Sequence, residues 1–192
     1  MAYDVTLKTT TILGQKNIFD SEQIRWIRGA VTISRAKVNA GADGKKALKL
    51  GEFLGKLTAT GTYAPTKHTN LAVAAALADL VLKVNDASRF QTGDVLDVNG
   101  TAATIAAGGV NTAANPHEIT LTAQIGVAKA IGDAVKSSDG SGNFDLMLGE
   151  DIDCTAGDVV ATAFDQARVI NARLPRQATD TAKTQLKGVT FV

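Results

Sequence analysis

The sequence predicts a mainly β fold: a small barrel- or sandwich-like core with a short C-terminal helix and an inserted β-rich module. Three observations predict it. Hydrophobic residues make up 45% of the 192 residues but aromatics only 5%, so Ala and Val carry much of the apolar content. Small and β-branched residues of this kind suit short, half-buried strands better than long helices. Eighteen glycines break the chain into short apolar runs. Turn chemistry recurs between those runs, at Thr92-Gly93-Asp94, Asn99-Gly100 and Ala156-Gly157-Asp158, where Gly permits the turn and Asp or Asn bonds its own backbone. A chain of this length can bury a sizeable core without cross-links.

Residues 1–24 show no clear periodicity. Arg25 to Arg35 is predicted as a strand, with Val31 and Ile33 on one face and Thr32 and Ser34 on the other. Residues 39–46, rich in Asn, Asp and Gly, form a loop. The stretch LKLGEFLGKLTATGTYAP (48–65) reads as two short strands closed by Pro65. LAVAAALADLVLKV (71–84) fits an Ala-rich helix by propensity and a buried strand by its Val/Leu end; periodicity does not separate the two.

A string of strand and turn signals follows. Val95 to Val98 is a strand, Asn99-Gly100 the strongest hairpin signal in the chain, and Thr101 to Ala106 its partner. His117 to Thr122 alternates as another strand, and SSDGSGN (137–143) is a loop or linker. FDLMLGEDID (144–153) is a strand entering an acidic turn. Residues 155–174 supply at least two strands around Phe164-Asp165-Gln166, ended by Pro175. ATDTAKTQLKG (178–188) predicts a short helix with Thr179 or Asp180 as N-cap and Gly188 just past its end, before a last strand, GVTFV.

Charge and chemistry narrow the function classes. Net charge is +1 but is segregated. Residues 1–49 carry nine basic against four acidic residues (+5), 50–164 six against thirteen (−7), and 165–192 five against two (+3). The basic residues stand singly among apolar ones with no Lys/Arg run, which argues against nucleic acid and for a solvated face or contact with an acidic protein surface. No run is long and apolar enough to span a membrane; Leu71 to Leu82 is the longest and Asp79 interrupts it. The start lacks a basic-then-apolar signal pattern, so a soluble protein made in a cytoplasm is expected.

The one cysteine, Cys154, excludes an internal disulfide and a cysteine zinc site. It follows Glu150, Asp151 and Asp153, whose charges would raise a thiol pKa, and reads as a small buried residue. That acidic cluster lacks the spacing of a calcium loop and reads as a solvated turn. His68 and His117 have neither metal-pair spacing nor a nucleophile motif and read as surface histidines. No glycine cluster forms a phosphate-binding loop. No catalytic residues, metal or cofactor are expected, and so no enzyme. Arg25, Trp26 and Arg28 are of the types enriched at interfaces; Trp26 serves equally well as a core residue.

The order of segments resembles the lambda-type head decoration proteins of tailed phages. The resemblance lies in LKLGEFLGKLTATGTYAP (48–65), in LMLGEDIDCTAGDVVATAFDQARVINARLP (146–175) and in the ending ATDTAKTQLKGVTFV, about a third of the chain. It implies a non-enzymatic protein on the outer capsid surface of the virion, a homotrimer, whose partner is the major capsid protein and whose N-terminal arm contacts the shell. The chain departs from that pattern at 69–137, which looks like an inserted β module, and at 1–47, which is long for an arm. The expected organisation is thus an arm and first strand (1–47), a core (48–68 with 138–192) and an insertion (69–137). The capsid-binding arm is expected to use Ile24, Arg25, Trp26, Arg28, Val31 and Ile33. The alternative is a β-rich binding module of a phage tail or surface adhesin. Carbohydrate binding by the insertion is disfavoured, because Phe90 is its single aromatic residue.

Overall fold

The computed structural model describes residues 18–20, 24–27 and 30–192. They form sixteen strands and one short α-helix. The first group is β1 (Arg25–Trp26), β2 (Val31–Ile33), a 3-10 turn (Arg35–Lys37), β3 (Ala47–Leu48), β4 (Phe53–Lys56) and β5 (Tyr63–Pro65). Next come β6 (His68–Asn70), β7 (Val81–Val84), β8 (Val95–Val98), β9 (Thr101–Asn111), β10 (His117–Leu121) and β11 (Ala134–Ser137). The last group is β12 (Leu146–Leu148), β13 (Ile152–Asp153), β14 (Val159–Ala161), β15 (Ala163–Val169), a 3-10 turn (Asn171–Arg173), α1 (Asp180–Gln185) and β16 (Val189–Phe191).

The first and last groups build one body around an eight-stranded sheet ordered β1-β15-β12-β4-β5-β2-β14, with β16 parallel to β15. Its central strands are buried on both faces. In β4 and β12, Phe53 and Met147 face a core with Phe164, the helix residue Ala182 and Leu186 just past the helix. Their neighbours Leu54, Leu146 and Leu148 face a second core with Ile33, Leu48 and Cys154. A strand covered on both sides has no solvent face to write in polar residues, which is why FL and LML run without alternation. The two-stranded β3–β13 sheet supplies Leu48 and Ile152 to that second face.

The middle group forms the second body. Its sheet runs β6-β11-β8-β9-β10-β7, and its first and last strands meet. Leu71 bridges Val84, Ala72 N–H donates to Lys83 O (2.8 Å) and Asn85 N–H to Asn70 O (3.0 Å). The six strands thus curl into a barrel, which removes the unpaired edges of an open sheet. Burial alternates along β7 and β8, as it must when one face is wet. The barrel core, with Leu82, Phe90, Leu96, Ile105 and Ile119, draws only on residues 71–135, and the two cores of the other body draw on none of them. The β8–β9 hairpin turns at Asn99-Gly100 with φ of 45° and 87°, the left-handed pair expected of a two-residue turn. At the C-terminus the Thr179 side chain accepts from Ala182 N–H (3.2 Å) and caps α1.

The structure corrects several expectations. Residues 71–80 form no helix; they make an irregular segment bridged to residues 125–132, and only 81–84 are a strand. Only Leu71 and Ala75 of this segment are buried, and pairing with the later segment satisfies backbone groups that a helix would otherwise bond. Arg25 to Arg35 is not one strand, since Ala30 at φ 57° separates β1 from β2. β1 joins β15, whereas β2 lies between β5 and β14. Phe164-Asp165-Gln166 lies inside β15, the break falling at Thr162. Gly188 does not cap the helix: a Cβ there would stand 2.3 Å from Asp165 O, so it is a close backbone approach that demands glycine. His68 is 2% exposed rather than a surface residue, because β6 runs through the junction of the two bodies.

Candidate functional site

Of the residues expected in the capsid-binding arm, the structure brings Ile24, Arg25 and Trp26 together at the end of the large sheet. The backbone of Phe19 bridges Val169, and Arg25 and Trp26 pair with Gln166 and Phe164, all along β15. Trp26 is 44% exposed. Its inner edge meets Phe19 and Phe164 edge-on, at ring-centre separations of 6.2 and 5.8 Å. It lies so close over Gly149 that a Cβ there would be 2.3 Å from the indole. Arg25 grips Asp165 with two bonds, Nε to Oδ1 (2.7 Å) and Nη2 to Oδ2 (2.5 Å). The pair holds the guanidinium proton more tightly and the Asp165 carboxyl below its ordinary range. Ile24 is half-buried against the core.

Val31 and Ile33 are elsewhere, 5% and 0% exposed inside the second core. They cannot reach a partner without unfolding β2, so the part of the proposed arm that they represent belongs to the body's own sheet. Arg28 lies outside the described residues. The face that remains is a partly seated tryptophan beside a fixed arginine on a terminal strand.

The acidic cluster is a set of backbone caps. Glu150 accepts from the amide and hydroxyl of Thr162, Asp151 from Leu50 N–H, and Asp153 from Thr155 N–H. Among the described residues, no three His, Cys, Asp or Glu gather as a metal site. Cys154 is fully buried, and burial, with Asp153 adding to it, pushes its thiol pKa up.

The feature least legible in the sequence is the joint between the bodies. The barrel segment 86–94 docks on the first body through charged side chains. Lys67, on the chain crossing, has no exposed side-chain surface and meets both oxygens of Asp94, at 2.9 and 2.7 Å. Lys37 bridges Asp139 (2.7 Å) and Asp94 (3.8 Å). Glu52, 1% exposed, meets Arg89 at 2.6 Å. Arg176 donates to the carbonyls of Thr66 and His68 and lies 3.2 Å from Asp86. Within the barrel, His117 accepts from Ala87 N–H and so ties down the segment that docks. Burial raises the Glu52 pKa in spite of Arg89 and Arg176. Burial also acts on Asp139, but Lys37, Ser141 and Ser137 outweigh it and hold the carboxyl low. Buried pairs like these contribute little net stability but tolerate one geometry, so they set how the barrel sits. No spacing rule brings Lys37, Glu52, Lys67, Asp94 and Arg176 together, because they lie far apart in the chain.

His68 makes this joint acid-sensitive. Burial, then the charges of Arg176 and Lys136, lower its pKa from 6.5 to about 4. A depressed histidine pKa stabilises the fold fully above 6.5 and loses that contribution as the pH falls towards 4. The loss is on the order of 3 kcal/mol. Glu52 acts in the opposite sense, since protonation relieves its buried charge. The thermal midpoint should therefore fall between pH 6.5 and 4, and His68→Gln should flatten that fall. An equal slope in the variant would locate the acid response elsewhere.

The barrel's other end is apolar. The segments 71–80 and 122–133 pair there through Ala75–Lys129 and Gly126–Leu77 bonds, and Leu77, Val127 and Ile131 stand 59%, 52% and 68% exposed. No protein-family model matches this chain, and no curated protein matches it. No helix among the described residues is long and apolar enough to cross a membrane.

Proposed function

We propose that the protein is a phage head decoration protein that binds the outer capsid surface through the major capsid protein and stabilises the shell. The observation that supports this best is the end of the large sheet, where Trp26 is half seated on Gly149 and half open, with Arg25 fixed beside it. An anchored aromatic beside an arginine is the composition of an interface hot spot, and a terminal strand offers main-chain groups for pairing with a partner's edge. A binding partner that prefers the assembled shell stabilises it by mass action. The reading carries no catalysis and no cofactor. It includes self-association as a homotrimer: β1 and β14 end the sheet order among the described residues, and on β14 Val160 is 69% exposed.

The test is co-sedimentation with undecorated capsids, which should saturate at a fixed ratio. Trp26→Ala should weaken that binding by tenfold or more, on the scale of about 2 kcal/mol for a hot-spot residue. Unchanged saturation by the variant, or no binding by the parent chain, would refute the reading. The exposed aliphatic end of the barrel favours a second reading, a binding module of a phage tail or surface adhesin. Apolar patches of this kind mark interaction sites, and under that reading the protein co-purifies with tails rather than heads.

A further inference from the structure

The geometry points to Lys67 and Asp94 as a self-processing pair that condenses to an intramolecular amide, riveting the barrel covalently to the body that carries it. Three observations carry this. Lys67 Nζ lies 2.9 and 2.7 Å from the two Asp94 oxygens, with the side chains 0% and 4% exposed. Both backbones are anchored: Lys67 N–H donates to Ser141 O and its carbonyl accepts from Ser137, while Asp94 N–H donates to Gln91 O and its carbonyl accepts from Ile105. Polar groups hold the two reactants in place. Gln91 Oε1 holds Nζ at 3.2 Å and Gln91 N–H holds Asp94 Oδ2 at 2.8 Å. Lys37 Nζ, 3.8 Å from Oδ1, is placed to stabilise negative charge on that oxygen.

The step balances within the pair. A proton passes from the Lys67 ammonium to an Asp94 oxygen, leaving a neutral amine and a carboxylic acid. The carboxyl turns about its Cβ–Cγ bond and the Nζ lone pair attacks Cγ, forming the C–N bond. One C–O bond then breaks, and that oxygen leaves as water with two hydrogens from the ammonium. Ammonium and carboxylate become amide and water, with no oxidant, cofactor or change in net charge. Two features favour the forward direction. Holding the reactants together replaces a bimolecular encounter by a positioned one. Replacing two buried charges by one neutral amide also removes their desolvation penalty. Burial lowers the Lys67 pKa, which makes the neutral amine easier to reach. Lys37 keeps Asp139 as its partner at 2.7 Å after Asp94 is neutralised.

Intact-mass measurement of the purified, denatured chain tests this. The expected mass is one water, about 18 Da, below that of the sequence. Trypsin should fail to cut after Lys67 and should release a branched peptide joining Lys67 to Asp94. Asp94→Ala and Lys67→Met should each restore the full sequence mass, read on denatured protein whether or not the variant folds well. The full mass in the parent chain would overturn the proposal. So would a water loss mapped to an unlinked peptide, as a cyclised Asp43-Gly44 or Asp139-Gly140 would give.

Discussion

Lys67→Met should be among the most damaging single substitutions in the chain, costing about 3–5 kcal/mol, the usual result of stripping one partner from a buried pair. Met matches the length of the lysine stem but leaves Asp94 at 4% side-chain exposure with a charge answered, among the described residues, by Lys37 at 3.8 Å and the Gln91 amide. The denaturant midpoint should drop accordingly. Adding Asp94→Asn removes the stranded charge and should recover part of the loss, so the double variant is expected to be more stable than Lys67→Met alone. A Lys67→Met protein within about 0.5 kcal/mol of the parent, the range of an ordinary surface substitution, would show that Asp94 is reached by water. Where the amide has formed, its loss adds to the cost without altering that order.

Gly140→Ala should be comparably severe. The residue sits at φ +100°, a region that side chains rarely enter, and a Cβ there would stand 2.2 Å from Lys56 O and 3.0 Å from Thr58 N. Neither contact is the tip of a flexible side chain; both belong to the backbone at the end of β4. The turn at 138–143 is tied in place by Thr58 N–H to Asp139 O and by Lys67 N–H to Ser141 O, so it cannot move away without releasing the chain crossing. Backbone strain of about 1–3 kcal/mol adds to the clash, and a loss of at least about 3 kcal/mol is expected. Gly44→Ala provides the comparison: its φ is +75° but nothing lies within 4 Å of the added carbon, so it should cost only the conformational part. Equal destabilisation by the two would mean that the contact with β4 yields.

Local chemistry was readable in the sequence and long-range charge pairing was not. Asn99-Gly100, the alternating strands of the barrel and the Thr179 cap follow from residues within a few positions of one another, and all three are present. The segment 71–80 went unassigned because its structure comes from pairing with residues some fifty positions later. Val31 and Ile33 alternate correctly as strand residues, yet alternation reports one buried face and not whose core buries it; here it is the chain's own. Of the expected site, Trp26 was equally legible as core and as surface, and the structure makes it both. His68 reads as a surface residue in the sequence because its burial depends on Phe144 and Arg176, remote in the chain.

The barrel's two attachment points are themselves partners. β6 leaves the first body and β11 returns to it as antiparallel neighbours, with Lys136 opposite His68 and Ser137 N–H bonded to Lys67 O at 2.9 Å. Seen from the large sheet, the whole excursion is the tip of one hairpin, opened at a single rung. Excursions of any length between adjacent strand ends impose a closure entropy that grows only with the logarithm of their length. The site is therefore a socket. A foreign domain whose own termini lie one strand spacing apart, about 5 Å, could be carried there in place of the barrel, outward from the sheet, without re-threading the scaffold that holds it.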